Sequence, residues 1–314
     1  MFDLAAYEAA AEVVHAAMPP TPQFAWPLLA ARTGCRVYVK HENHTPTGAF
    51  KVRGGLVYCS HLPKDTAGLI SATRGNHGQS LAFAGRRLGL AVTILVPHGN
   101  STEKNAAMKA LGADLVEHGR DYQEAKEEAY RRAGERGLTI VPPFHRDLVL
   151  GVGTYALELF RAVPDLDTVY VPIGMGSGIC GVIDVRDALG LTTRVVGVQA
   201  EKAPSYALSF AAGRVVSTQT ADTIADGMAT RIPDAEALEM IRGGASRIVT
   251  VSDDEIAAAM RAYYTDTHNL AEGAGAAPLA ALLKERDAML DKKVGLVLSG
   301  GNVDLELFGR LVLS

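Results

Sequence analysis

The sequence predicts an α/β protein of two domains, each built on a mostly parallel sheet covered by helices on both faces. Three observations predict it. Strand-like and helix-like segments alternate along nearly the whole chain. The strand-like segments are almost wholly apolar, as strands buried on both faces must be. Three glycine-rich segments (75–78, 174–178 and 299–301) each follow directly on a predicted strand. In such sheets ligands bind beyond the carboxyl ends of the strands, so the three segments are expected to meet in one crevice.

Taken in order, residues 3–17 carry apolar positions at helical spacing (Leu4, Ala5, Tyr7, Ala11, Val14) and stop before Met18-Pro19-Pro20. That predicts a first helix and then a proline-rich loop through Thr21-Pro22. Residues 36–40 alternate, with Val37 and Val39 on one face, as a strand does. A helix is expected over 52–62, a short buried strand over 69–72 and a helix over 79–88. Next come a strand over 92–96, a helix over 102–111 stopped by Gly112, a strand over 114–117 and a charged amphipathic helix over 121–136. Residues 139–141 read as a strand ended by Pro142-Pro143, and 148–162 as a helix. The apolar strand 168–173 leads into a helix over 179–188 and the strand 194–199. Helices are expected near 203–212, 234–242, 253–267 and 275–286, before a last strand over 294–298. The unit 52–146 can close as a smaller domain inserted into a larger one made of 1–51 and 147–314, with linkers near Gly54-Gly55 and Pro142-Pro143.

Composition narrows the function classes. With 314 residues, 48% hydrophobic and 21% charged, the chain can bury a sizeable core. A net charge of -4 with scattered lysines and arginines favours neither nucleic acid nor an anionic membrane. Cys35, Cys59 and Cys180 are few, odd in number and widely spaced, which fits a reducing compartment and no disulfide framework. The start Met1-Phe2-Asp3-Leu4-Ala5 lacks the basic region of a signal peptide, and no apolar run approaches the length of a membrane span. A cytoplasmic protein is the expectation.

The candidate chemistry centres on Thr47-Gly48-Ala49-Phe50-Lys51-Val52-Arg53-Gly54-Gly55. A lysine in an apolar setting loses hydration, which disfavours its charged form and lowers its pKa. The neutral amine can then condense with an aldehyde or act as a base. Read alone, the same lysine reads better as a solvated charge beside a glycine turn. Gly174-Met175-Gly176-Ser177-Gly178 suits a phosphate cradle, because small residues expose backbone N–H groups at a helix N-terminus. It is neither a Walker motif nor a GxGxxG fingerprint, and a plain tight turn is the other reading. In Gly75-Asn76-His77-Gly78, Asn76 could donate to a ligand oxygen, and His77 reads better as a packed helix-start residue than as a catalyst. Ser299-Gly300-Gly301-Asn302 puts a hydroxyl at a strand end, or is a plain turn. The other histidines form no HExxH or His/Cys cluster.

Taken together, "PTGAFKVRGG", "RGNHGQSLA", "GVGTYALEL", "VPIGMGSGI", "TIADGM", "EGAGAA" and "LSGGNVD" occur in one order. This set resembles the fold type II pyridoxal-phosphate enzymes, of tryptophan synthase β-like architecture, and among them the threonine/serine dehydratase and serine racemase group, over roughly residues 20–305. The resemblance implies pyridoxal 5'-phosphate as cofactor, held by Lys51 as a Schiff base, with the freed Lys51 taking the substrate α-proton. It implies that Phe50 flanks the ring and Asn76 bonds its phenolic oxygen. Gly174, Met175, Gly176, Ser177 and Gly178 would cradle the phosphate, Gly227 would lie along the cofactor edge, and Ser299 would face the pyridine nitrogen with Glu272 in support. The substrate carboxylate would meet the loop Thr73, Arg74, Gly75, Asn76 and His77. A neutral hydroxyl at Ser299 leaves the ring a weaker electron sink and favours prompt β-elimination.

The implied reaction is dehydration and deamination of a β-hydroxy-α-amino acid to a 2-oxo acid and ammonia, as in ammonia-lyases of amino-acid catabolism. Threonine or serine is the default substrate, with 3-hydroxyaspartate or phenylserine as 3-hydroxy analogues. Departures shape this reading. Arg74 stands where the group usually has serine or alanine; an arginine stays protonated, which argues against racemisation. Arg74 could instead pair with a carboxylate or point out of the site. Glu201 stands where the family's metal site begins, but a second carboxylate is missing near Ala207, so no metal is expected. His44 replaces a usual glutamine and Ala49 a usual serine. The end at Ser314 leaves no room for a C-terminal regulatory domain, and a homodimer is the family expectation. The rivals are a racemase or β-replacement synthase on this fold and, from another class, a non-catalytic ligand-binding homologue.

Overall fold

Apolar runs become central strands. Every residue of Leu69–Ala72 and of Val92–Val96 is buried, as are all but the first of Lys293–Leu298. The computed structural model describes residues 2–313. The chain runs α1 (Leu4–His15), β1 (Gln23–Ala25), α2 (Pro27–Thr33), β2 (Arg36–His41) and α3 (Lys51–Ser60). It continues through β3 (Leu69–Ala72), α4 (Asn76–Leu88), β4 (Val92–Val96), α5 (Thr102–Ala110), β5 (Asp114–Glu117), α6 (Tyr122–Arg136) and β6 (Thr139–Ile140). Next come α7 (Arg146–Ala162), β7 (Thr168–Pro172), α8 (Ser177–Ala188), β8 (Arg194–Ala200), α9 (Ser205–Ala212) and α10 (Ala235–Gly244). The last elements are β9 (Ala245–Val251), α11 (Asp253–Thr267), α12 (Gly273–Lys284), β10 (Lys293–Leu298) and α13 (Leu305–Val312).

Two sheets result. One has the order β1-β2-β10-β7-β8-β9 and is parallel except for the edge strand β1; the other, β5-β4-β3-β6, is wholly parallel. In each, the chain leaves a starting strand in one direction and fills its other flank later. These reversals lie between β7 and β10 and between β3 and β6. Crevices open at such points beyond the strand ends, and the loops that follow β3, β7 and β10 are the three glycine-rich segments. Four elements go beyond the sequence expectation: β1, α2, β9 and α13. Gly54 and Gly55 are not a linker either. Both are buried inside α3, where an added Cβ would lie 2.9 Å from the Leu148 carbonyl oxygen and 2.3 Å from Ser80 Oγ. They let α4 and α7 approach α3 closely.

The start of α3 is pinned by buried charge. Arg53 has no solvent exposure. Its Nε donates to Glu42 Oε2 at 2.7 Å, and Nη1 and Nη2 donate to Glu158 at 2.7 and 2.9 Å. Lys40, also fully buried, donates to Glu158 Oε2 at 2.5 Å and to the Thr21 carbonyl at 2.6 Å. Two cations face two carboxylates, so the desolvation that buried ions suffer is offset by short hydrogen bonds. Burial pushes the Glu158 carboxyl up, but Arg53 and Lys40 overcome this and hold it down at about 2.

Removing one partner strands the others. Arg53→Met is expected to destabilise by about 3–5 kcal/mol, measured by urea unfolding. Because the Glu158 pKa is depressed, its contribution is complete above its ordinary value and is lost as pH falls from about 4.5 towards about 2. Glu158→Gln should flatten that acid-side loss of stability in urea titrations at stepped pH.

Candidate active site

Lys51 opens α3, and its position is set from both sides. The Phe50 amide donates to the Ser299 carbonyl at 2.9 Å, and Gly301 donates to the Gly48 carbonyl at 2.9 Å. A bridge between Ala49 and Gly300 joins the same segments. The lysine motif is thus clamped to the end of β10. Lys51 Nζ lies 5.1 Å from the Phe50 ring centroid. Burial lowers its pKa to about 8, against a smaller opposing pull from Glu272. Near neutral pH a larger share of this amine is then uncharged than of an ordinary lysine.

The other glycine-rich segments meet it. Phe50 stacks edge-on against Tyr155, with centroids 6.1 Å apart, and lies beside Gly178. Tyr155 donates to the Gly178 carbonyl at 2.9 Å, and Tyr206 to the Met175 carbonyl at 2.9 Å. No side chain caps the start of α8, so its first-turn N–H groups are free for an anion. Gly176 has φ 103°, and a Cβ on Gly174 would lie 2.2 Å from the Gly227 carbonyl oxygen. The cradle therefore needs glycine, and it borders the Gly227 turn.

From Gly227 the chain of contacts returns to Lys51. Glu272 is buried, and burial raises its pKa to about 7. Asn76 Nδ2 donates to its two oxygens at 2.9 and 3.2 Å. Asn302 Nδ2 donates to Asn76 Oδ1 and to the Thr47 carbonyl, each at 2.8 Å. Ser299 is buried at the end of β10. A phosphate-bearing aldehyde fits this donor set: an amine poised to condense, uncapped amides at a helix start, and an amide and a hydroxyl between them.

In the 73–77 loop, the Thr73 amide already donates to the Leu95 carbonyl, and the Gly75 amide to Thr73 Oγ1. The uncapped first turn of α4, which includes Asn76 and His77, keeps its amides for a carboxylate. His77 is buried, and Nε2 has no hydrogen-bond partner among the described residues. Burial first, then Lys51, pushes its pKa down to about 3, so it is a neutral ring and not an acid. Arg74 is exposed, and its side chain makes no ion pair or hydrogen bond among the described residues. Glu201 accepts from Lys284 at 3.1 Å, and the described residues hold no group of three metal-ligating side chains. Asn302, Asp226 and Lys104 are the site residues that sequence reasoning passed over. The first two lie inside quoted motifs, whereas nothing local marked Lys104.

The fold and this site define an enzyme that works through a bound phosphate-bearing aldehyde. Residues 14–300 match the family described as "Pyridoxal-phosphate dependent enzyme". The chain belongs to that family and has its fold type II architecture, with pyridoxal 5'-phosphate as cofactor. It is 38% identical over 284 residues to an L-threonine ammonia-lyase of Geobacter sulfurreducens, covering 90% of this chain and 71% of that one. It is 33% identical over 296 residues to an L-threo-3-hydroxyaspartate ammonia-lyase of Saccharomyces cerevisiae, covering 93% and 90%. Among solved structures, the processed form of threonine deaminase isoform 2 from Solanum lycopersicum superposes with a TM-score of 0.90 at 28% identity, covering 99% of this chain and 93% of that one. Maize serine racemase superposes with a TM-score of 0.93 at 26% identity, covering 98% and 96%.

Gly174→Ala drives a methyl group against backbone. Such overpacking costs about 1–3 kcal/mol, so cofactor affinity should fall about ten- to a hundredfold, read by titrating the cofactor into the cofactor-free variant.

Proposed function

We propose that this enzyme is an ammonia-lyase that eliminates the hydroxyl of a β-hydroxy-α-amino acid, giving a 2-oxo acid and ammonia. The observation that carries the reading is Lys51: a desolvated amine at the convergence of three strand-end loops. The relatives named as threonine and hydroxyaspartate ammonia-lyases support it. Bound pyridoxal phosphate supplies an electron sink for the pair left when the α-proton departs. Lys51 would hold it through Nζ, and the same Nζ, when free, would accept the substrate α-proton. The first-turn amides of α4 hold the substrate carboxylate. The cradle 174–178 would hold the cofactor phosphate, Gly227 and Glu272 would line its edge, and Asn76 would bond its phenolic oxygen. Ser299 would offer the pyridine nitrogen a neutral hydroxyl. The water lost in elimination balances the water taken up when ammonia is released, so no co-reactant is needed.

Threonine or serine is the default substrate, with 3-hydroxyaspartate and phenylserine as further candidates. The exposed Arg74 offers no neutral acid opposite Lys51, which favours the lyase over the racemase. The two-domain division, 52–146 within 1–51 plus 147–314, is supported by the β5-β4-β3-β6 sheet lying wholly inside residues 69–140. Buried free thiols at Cys35, Cys59 and Cys180 support a cytoplasmic location. No helix among the described residues is long and apolar enough to cross a membrane. A homodimer is supported by a belt of partly exposed rings. Phe24 packs on Trp26 and on the buried His41, which stacks on the exposed His44, and Tyr264 packs on His268 and Phe308, with Leu28 and Leu305 exposed.

Wild-type protein should release ammonia and a 2-oxo acid from at least one of threonine, serine, 3-hydroxyaspartate and phenylserine. Lys51→Ala should lose that release and the cofactor's characteristic absorbance; full turnover by Lys51→Ala would sink the mechanism. Sedimentation velocity should give twice the chain mass, and Phe24→Lys with Leu305→Lys should return it towards the 33.2 kDa monomer.

A further inference from the structure

Lys104 is the buried cation of the site that the mechanism above does not use. It lies in the first turn of α5, on the β5-β4-β3-β6 sheet, and is 8% exposed. Its ammonium donates to Asp226, in the turn before Gly227. Its stem crosses Gly75: a Cβ built there would lie 2.7 Å from Lys104 Cδ. The neighbouring residues repeat the connection. Ser101 Oγ donates to Asp304 Oδ1 at 2.5 Å, and the Leu305 amide donates to Glu103 Oε1 at 3.0 Å. Asn100 Nδ2 donates to the Arg74 carbonyl at 3.2 Å. The start of α5 therefore holds the 73–77 loop with one set of contacts and the segments beyond β8 and β10 with another. Burial lowers the Lys104 pKa, but Asp226 and then Glu272 more than offset this, so the ammonium stays charged.

We propose that Lys104 is a positioning residue for the elimination: its stem seats Gly75, its ammonium ties that loop to Asp226, and the substrate-carboxylate site forms only when this ion pair is made. The inference rests on the reading of 73–77 as the carboxylate loop. Two ligands with no β-leaving group separate that recognition from chemistry. L-alanine carries a carboxylate, and L-alaninamide carries a neutral amide in its place. Binding of each is read from the cofactor absorbance. Lys104→Met should weaken alanine about tenfold and leave alaninamide within about twofold. In the cofactor-free protein it should also speed amide exchange across residues 73–78. Lys104→Arg should restore both. Asp226→Asn breaks the pair from the other side and should give the same alanine-specific loss, which covers the case in which Lys104→Met fails to fold. Equal weakening of both ligands, or no weakening of either, overturns the proposal. In the wild-type holoenzyme, alanine but not alaninamide should slow amide exchange across residues 76–78, which tests the loop itself. If it does not, the carboxylate reading fails and the inference with it. If it does while Lys104→Met keeps the wild-type preference for alanine, only the role of Lys104 fails.

Discussion

A guanidinium shut away from solvent sits two residues beyond the candidate catalytic amine, and the charges around it decide where α3 begins. Arg53 is held by Glu42, which follows β2, and by Glu158 on α7, while Lys40 of β2 reaches the same Glu158. Positions two apart on a helix point about 200° apart. Anchoring Arg53 inward therefore turns Lys51 away from the ion cluster and towards the crevice. The amine can lose its hydration there without a carboxylate hydrogen-bonded to it, and its depressed pKa follows. A lysine that made its own tight ion pair would be held as an ammonium and could neither condense with an aldehyde nor take a proton.

The same division of labour runs through the site. Glu272 begins α12 but does not cap it; its carboxylate turns to Asn76 instead. Asn302 fixes which end of the Asn76 amide faces which neighbour, since its Nδ2 can only donate. A glycine is needed where two backbones touch, as at Gly174 against the Gly227 carbonyl. Asn76 is thus oriented by Asn302, to which no contact with cofactor or substrate is assigned.

Most of the fold was legible because buried parallel strands must be apolar runs and their covering helices must be amphipathic. The elements that escaped lie at edges. β1 is three residues between Pro22 and Pro27, and β9, although it carries Ile248-Val249-Thr250-Val251, follows α10 with no loop between them. α13 lies outermost, with only Val312 buried. In the site, residues carried by local patterns were readable: a lysine after glycine, a glycine cradle after a strand, a serine at a strand end. Lys104 with Asp226, 122 positions apart, and Asn302 with Asn76, 226 apart, were not. Their meaning lies in pairing across the fold, which no window of neighbours contains. Gly54-Gly55 misled for a related reason: in sequence a glycine pair looks like a hinge, whereas here it is the space two helices need.

The order of the six-stranded sheet bears on how the enzyme is made. β10 follows β7, β8 and β9 in the chain yet lies between β2 and β7, and it joins β2 to the strands beyond it. The Phe50 amide and Gly48 carbonyl find their partners only in Ser299 and Gly301. The segment that carries Lys51 is therefore seated by a strand distant from it in the chain. Such non-local closure is slow relative to local helix formation. Until β10 inserts beside β2, the segment around Lys51 lacks the backbone partners that fix it, so the site closes only as the sheet does.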